Sequence, residues 1–159
     1  MNDAGLRKTI KDFVRSVGID IRPMTSGVKC FLPGLDIADG AVLLDEEGWS
    51  FPGDLLHEAG HVAVASPEER LLPKLDPTPA DEMTAIAWSY AAAVHLGVPL
   101  EVLFHPDGYK GGSQALIDAF KAGGTIGMPM LAYYGMTVDP KRATPDGPAP
   151  YPHMLRWVR

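Results

Sequence analysis

The chain has 159 residues, of which 46% are hydrophobic and 21% charged. This length and composition are typical of one globular domain with a single core, and we do not expect a second domain. The formal net charge of −6 and the absence of dense Lys and Arg clusters argue against nucleic-acid binding, because phosphate recognition needs concentrated positive charge. We therefore expect the binding partner to be a small molecule or a protein.

Cysteine usage and hydropathy predict a cytoplasmic protein that does not bind membranes. Cys30 is the single cysteine, so no internal disulfide is expected, which is typical of a reducing compartment. No segment approaches the roughly 18 uninterrupted apolar residues of a membrane-spanning helix. The N-terminal residues MNDAGLRKTIKDF also lack the apolar region of a signal peptide.

The first part of the chain changes from helical to extended periodicity. Apolar residues from Leu6 to Val17 recur at helical spacing and predict an amphipathic helix that ends near Gly18. Residues 19–46 then contain three runs typical of strands, IDIRP, VKCFL and AVLLD, separated by turn residues. These runs predict a small, mostly antiparallel sheet of about three strands.

Helical periodicity returns over residues 53–65 and again after a proline-rich loop. Thr78 is placed to cap the second of these helices, with Pro79 at its first position and Asp81 as the reciprocal capping residue. Gly97 is expected to end that helix. Three shorter helices are predicted downstream, over about 99–104, 113–122 and 128–134.

The order of helix, strands and then helices predicts an α+β fold with the helices packed on one side of the sheet. We assign residues 1–135 to a single domain built in this way. Residues 136–159 are proline-rich and are expected to form a C-terminal extension that packs on the domain without regular structure.

The helix predicted over residues 53–65 contains the motif HEAGH. Residues four apart lie on one face of a helix, so His57 and His61 can direct imidazole nitrogens at one metal ion. Glu58 lies about 100° further round the helix, where its carboxylate can reach a water on that metal. Two imidazoles, an open position and a carboxylate base are what zinc-dependent hydrolysis requires. The alternative is a buried helix whose histidines bond to carbonyl groups.

A catalytic zinc needs a third protein ligand. The sequence offers Asp81, Glu82, His95, His105 and His153. We favour Glu82, because it lies in the first turn of the Thr78-capped helix and the preceding loop is long enough to bring that helix antiparallel to the first. As a charge at a helix N-terminus alone, Glu82 would contribute only about 0.3–1 kcal/mol. Gly60, in mid-helix, further predicts that another element approaches the histidine helix closely.

The segments LLHEAGHVAV and DEMTAIAWSYAAA resemble the gluzincin branch of the zinc metallopeptidases, in which a second helix supplies a ligand glutamate. The chain is most similar to the compact ImmA/IrrE-like group, and the resemblance covers about residues 19–97. It implies a minimal zincin-like domain with one zinc ion. It also implies His57, His61 and Glu82 as ligands, and Glu58 as general base and acid.

Ile86 departs from the pattern of these families, which usually carry an acidic or amide residue four positions after the ligand glutamate. Such a residue hydrogen-bonds to a metal-bound histidine and tunes the site, and Ile86 removes that bond. The resemblance does not extend to residues 105–159.

Hydrolysis at zinc also needs a hydrogen-bond donor for the developing oxyanion. We retain Tyr109, His105 and His153 as candidates for this donor. The glycine-rich run FHPDGYKGGS holds the first two, although such a run is more typical of a flexible surface connection between helices.

The sequence therefore predicts a zinc-dependent, metallopeptidase-like hydrolase that acts on a peptide or protein substrate. Glu58 would take a proton from the attacking water and return it to the leaving amine. The strand that ends near Asp45 is expected to bind an extended peptide by strand addition. The alternative is a non-catalytic zinc-fold protein, in which the same ligands hold a structural or regulatory metal and the cleft binds a peptide or partner.

Overall fold

The computed structural model describes residues 2–159, which contain six α-helices and three β-strands joined by loops and short 3-10 helices. Met1, with which the predicted domain begins, lies outside that range. In chain order the elements are α1 (Asp3–Ser16), β1 (Ile21–Pro23), β2 (Leu35–Ala38), β3 (Ala41–Leu44), α2 (Pro52–Val64), α3 (Pro79–Leu96), α4 (Leu100–Leu103), α5 (Ser113–Lys121) and α6 (Met128–Tyr133). The α+β prediction and the N-terminal helix are confirmed.

The strands form one sheet in the order β1-β3-β2. β3 runs antiparallel to β2 and parallel to β1, so the sheet is mixed. The β2–β3 hairpin turns at Asp39 and Gly40, whose φ angles are 49° and 69°, as a two-residue type I′ turn requires. Because β3 is paired on both sides, the predicted strand addition beside Asp45 is wrong. The free edges of the sheet belong to β1 and β2.

The second predicted strand is also misplaced. Residues 28–32 form only an isolated bridge between Leu32 and Leu35, and residues 35–38 make β2 instead. The hairpin turn sets the register and pairs Leu35 with Leu44, so both of these side chains are buried. Phe31 is 92% exposed, so the apolar content of residues 28–32 does not reflect a buried strand.

α3 forms as its capping signals predict. The Thr78 hydroxyl accepts a hydrogen bond from Asp81 N, and the Asp81 carboxylate accepts one from Thr78 N. Gly97 follows the last turn with a φ of 69°, a conformation that glycine adopts without strain. None of the helices in the described chain is both long and apolar enough to cross a membrane.

The C-terminal residues 136–159 attach to the two central helices. Trp88 Nε1 of α3 donates to Trp157 O at 2.9 Å, and the Tyr151 hydroxyl donates to Ala87 O at the same distance. Near the end of the chain, Arg159 N donates to Ala63 O of α2 at 2.9 Å. These bonds tie the C-terminal residues to both α2 and α3, which carry the residues of interest for function.

Gly60 lies where α3 packs against α2. A Cβ atom at this position would lie 2.9 Å from Ala85 O and 3.3 Å from the Trp88 ring. The first distance is shorter than a carbon normally approaches a backbone oxygen, so any larger residue must displace α3. The close approach predicted at Gly60 is confirmed, and it fixes how near the first turns of α3 lie to α2.

Replacing Gly60 by Ala should destabilise the protein by about 1–3 kcal/mol, because the added methyl group overpacks the contact between α2 and α3. At an uncrowded helix position the same change stabilises by about 1 kcal/mol, so the two effects have opposite signs. Urea unfolding followed by circular dichroism measures the difference. An increase in the free energy of unfolding would contradict the packing argument.

Candidate metal centre

α2 presents two buried imidazoles to the first turn of α3. His57 and His61 lie one turn apart on α2, and their side chains are 10% and 7% exposed. Their neighbours Leu56, Ala59 and Val62 are fully buried, so the helix as a whole lies in the core. The predicted apolar, buried helix is confirmed, but the imidazoles of His57 and His61 contact Glu82 and each other rather than carbonyl groups.

Glu82 of α3 meets both histidines. His57 Nε2 lies 3.0 Å from Glu82 Oε1, and His61 Nε2 lies 3.0 Å from Glu82 Oε2. The two Nε2 atoms are 3.1 Å apart. Among the described residues, these three side chains are the group of His, Cys, Asp and Glu whose ligand atoms lie within 4.8 Å of one another. The residue favoured from the sequence is therefore the one that the fold brings to the histidines.

The donor set and its spacing fit a zinc ion. Ligand atoms around a tetrahedral zinc at about 2.0–2.1 Å lie roughly 3.3 Å from each other. The two histidine nitrogens are 3.1 Å apart, and each lies 3.0 Å from a different oxygen of Glu82, so these contacts are close to the spacing of zinc ligands. Two imidazole nitrogens and a carboxylate oxygen also form the ligand set of a common class of catalytic zinc sites.

The cluster opens toward solvent on the Glu82 side, because the Glu82 side chain is 40% exposed. A cavity of about 120 Å³ lies directly beside His61. Leu72, Leu75 and Asp76, from the segment between α2 and α3, form part of its wall. Small molecules or a side chain of a larger molecule can therefore approach the cluster without a rearrangement of the core.

The charges of the cluster stabilise one another. Hydrogen bonds from His57 and His61 hold the pKa of Glu82 far below its usual range. Burial favours neutral His57, but the bond to Glu82 and the nearby carboxylates outweigh it and raise the pKa of His57. A positive charge at these imidazoles is thus favoured by the carboxylate, and a bound dication would supply such a charge.

Glu58 is half-buried and follows His57 directly on α2. Burial raises the pKa of its carboxyl group, although the nearby His57 and His61 lower it. No hydrogen bond or ion pair from the Glu58 carboxylate to another residue is found within residues 2–159. The group is thus available to a molecule that enters the cluster.

Tyr109 is brought next to the first histidine. Its ring packs edge-on against the His57 ring, with centroids 5.6 Å apart. Its hydroxyl is buried and has no hydrogen-bond partner in the described chain. Burial and the charge of Asp54 raise its pKa far above the usual value, so the hydroxyl stays protonated. Its φ of 53° is strained for a non-glycine residue, a condition found most often at functional sites.

The other two candidate donors are placed differently. His105 is buried, stacks on Phe51 with centroids 3.7 Å apart, and uses Nε2 to bond Asp54 at 2.9 Å. His153 is exposed, and its carbonyl accepts a bond from Thr137. Neither histidine makes a hydrogen bond, ion pair or ring contact with the cluster within residues 2–159.

The remaining candidate ligands have structural roles. Asp81 forms the capping box of α3 with Thr78. The His95 ring contacts those of Phe13 and Trp157. Neither group joins the cluster of His57, His61 and Glu82.

Sequence reasoning missed Asp54, which lies one turn before His57 on α2 and is 3% exposed. Burial raises the pKa of its carboxyl group, although His105 lowers it. The signal was present, because Asp54 is the one charged residue among the apolar positions that precede the motif. Its partner His105 belongs to a distant part of the sequence, so their contact had no local signature.

Comparisons with protein-family models, curated proteins and solved structures found no match to this chain. The interpretation of the cluster therefore rests on its geometry and on the sequence motif.

The purified protein should bind one zinc ion per chain. Glu82→Ala should weaken zinc binding by more than about 100-fold, because removal of a residue that only hydrogen-bonds to a ligand already costs up to about 100-fold. Competition with a chromophoric chelator measures the affinity. Asp81→Ala is the matched control, since it removes the neighbouring carboxylate and the capping box. It should destabilise α3 by about 1 kcal/mol and leave zinc affinity nearly unchanged. Equal affinity in Glu82→Ala and the unaltered protein would exclude Glu82 as a ligand.

Proposed function

We propose that this protein is a zinc-dependent hydrolase of the metallopeptidase type, with His57, His61 and Glu82 as the zinc ligands. The observation that carries the proposal is the meeting of these three side chains, from two helices, at separations of 3.0 to 3.1 Å. Zinc in such a site polarises a substrate carbonyl and makes a water molecule nucleophilic near neutral pH.

Glu58 is the proton carrier in this proposal. A general base must be able to reach the proton that it removes, and Glu58 extends from the same helix as the two histidine ligands. Its carboxylate has no competing partner in the described chain. It would accept a proton from the attacking water and deliver it to the nitrogen of the leaving amine, so that the carboxylate is regenerated after each turnover.

Tyr109 is the donor that we assign to the developing oxyanion, in preference to His105 and His153. A buried hydroxyl without a partner can donate without first breaking a bond inside the protein. The Tyr109 ring contacts the His57 ring, so Tyr109 lies beside a proposed zinc ligand. His105 is already bonded to Asp54, and His153 lies on the surface.

Peptides are the proposed substrates because of the resemblance of the segments LLHEAGHVAV and DEMTAIAWSYAAA to gluzincin peptidases. The cavity beside His61 supports this choice, since it offers space for a substrate side chain next to the cluster. The proposed enzyme would therefore cleave an amide bond placed over Glu82 and the two histidines, with one side chain of the peptide in that cavity.

Glu58→Gln should lower the rate of peptide hydrolysis by about 10²–10⁴, because general acid–base catalysis contributes a factor of that size. Zinc content should stay at one ion per chain, since the substituted group is not a ligand. A fluorogenic peptide library supplies the assay, and Glu68→Gln, which changes an exposed carboxylate, is the control. Bound zinc without hydrolysis in the unaltered protein would instead favour a non-catalytic, peptide-binding zinc protein.

Tyr109→Phe should reduce kcat by about 10²–10³, the usual effect of removing an oxyanion donor, and should leave zinc affinity unchanged. The phenylalanine ring preserves the packing on His57, so the protein should remain folded. Tyr133→Phe is the control, because the Tyr133 side chain is 80% exposed. An unchanged kcat in Tyr109→Phe would assign the oxyanion donor elsewhere.

A further inference from the structure

Four buried polar atoms in and around the proposed zinc site have no hydrogen-bond partner within residues 2–159. They are Asp54 Oδ2, His57 Nδ1, His105 Nδ1 and Tyr109 OH. Unpaired buried polar atoms are rare in folded proteins, and each one calls for an explanation. The proposed mechanism does not use Asp54 or His105, and it uses His57 through Nε2 rather than Nδ1.

Asp54 Oδ2 and His57 Nδ1 do not bond to each other in this structure, but their residues are neighbours on α2. They lie three positions apart on α2 and therefore on the same face of the helix. Helical side chains lean toward the N-terminus, so the His57 ring extends over the turn that carries Asp54. Both side chains are buried, and water cannot readily take the place of a protein partner.

The free donor and the free acceptor are complementary. His57 directs Nε2 at Glu82, so in the zinc-bound form its proton must be on Nδ1. Asp54 accepts from His105 Nε2 through Oδ1 at 2.9 Å, which leaves Oδ2 as an acceptor. A carboxylate can accept at both oxygens at once, whereas an amide has only one oxygen.

His105 is itself held in place, so it fixes the orientation of Asp54. Phe51 stacks on its ring, and the Ser113 hydroxyl donates to its carbonyl at 2.6 Å. A Cβ atom at Gly108 would lie 3.0 Å from His105 Nε2, so the loop closes tightly around the imidazole. The Asp54 carboxylate therefore has a defined position before any metal binds.

We propose that Asp54 is the positioning residue of the metal centre, accepting a hydrogen bond from His57 Nδ1–H while His57 Nε2 binds zinc. This inference rests on the proposed zinc site. The bond would fix the tautomer and the ring orientation of His57 and raise its basicity as a ligand. Ile86, one turn after Glu82 on α3, is buried and has no polar group with which to do so. Asp54 on α2 would thus supply the hydrogen bond to a metal-bound histidine that Ile86 on α3 cannot supply.

Asp54→Asn tests this assignment. Asparagine keeps one accepting oxygen and replaces the other by an amide group that only donates, so it cannot accept on both sides of the side chain. Zinc affinity should fall about 10–100-fold, the usual loss when such a partner is removed, as measured by competition with a chromophoric chelator. Asp45→Asn is the matched control, since Asp45 is a comparably buried carboxylate whose partners are Ser26, Gly27 and Glu47. It should leave zinc affinity unchanged.

Nuclear magnetic resonance of the unaltered, zinc-loaded protein gives a readout that does not depend on the variant. His57 Nδ1–H should give a downfield, slowly exchanging proton resonance, and Asp54→Asn should move it upfield or speed its exchange. A purely structural role for Asp54 would not change that signal. A rapidly exchanging His57 proton in the unaltered protein would overturn the assignment even if the variant failed to fold.

The outcomes separate the inference from the proposed function. Zinc binding by the unaltered protein with equally tight binding by Asp54→Asn would contradict the positioning role alone. Failure of the unaltered protein to bind zinc would overturn the zinc site and, with it, the role of Asp54.

Discussion

Gly60 allows α3 to approach α2 so closely that a Cβ atom there would lie 2.9 Å from Ala85 O. Glu82 lies about one turn before Ala85 on α3, and His57 and His61 lie on either side of Gly60 in the chain. The spacing of the three side chains is therefore set by backbone contact between two helices rather than by flexible side chains.

Further hydrogen bonds hold α2 and α3 in place. The C-terminal residues bond to both helices through Trp157, Tyr151 and Arg159, so the two helices that carry the proposed ligands are fixed at more than one point. On α2, Asp54 joins the loop after α4 through its bond to His105. That loop also carries Tyr109, which contacts His57. The proposed ligand, positioning and oxyanion groups thus belong to one connected set.

The side chains of the cluster compensate the charge of the Glu82 carboxylate. The Glu82 carboxylate lies between two imidazoles, which lower its pKa. Glu82 in turn helps to raise the pKa of His57, so a proton can occupy the space between them. A zinc ion at the proposed site would bring more positive charge than that proton and would bind the same side chains. Exchange of a proton for a metal ion is the coupling expected of such a site.

Local signals predicted the helices, and together with the loop length they predicted that His57, His61 and Glu82 meet. The motif HEAGH predicted that His57 and His61 share one face of α2, and the capping residue Thr78 predicted the start of α3. The length of the loop between the helices favoured Glu82. Long-range pairing was not accessible in this way. Residues 28–32 are apolar, but the Asp39-Gly40 turn selects residues 35–38 for pairing with β3. The parallel pairing of β1 with β3 and the bond between Asp54 and His105 likewise depend on distant parts of the chain.

X-ray absorption at the zinc edge tests the central claim most directly, because it reports the atoms bound to the metal. The zinc-loaded protein should give a shell of nitrogen and oxygen at about 2.0–2.1 Å, with the outer scattering of two imidazole rings and no sulfur. A sulfur neighbour at about 2.3 Å would point to Cys30, and a shell without imidazole scattering would exclude His57 and His61. Either result would contradict the metal centre described above.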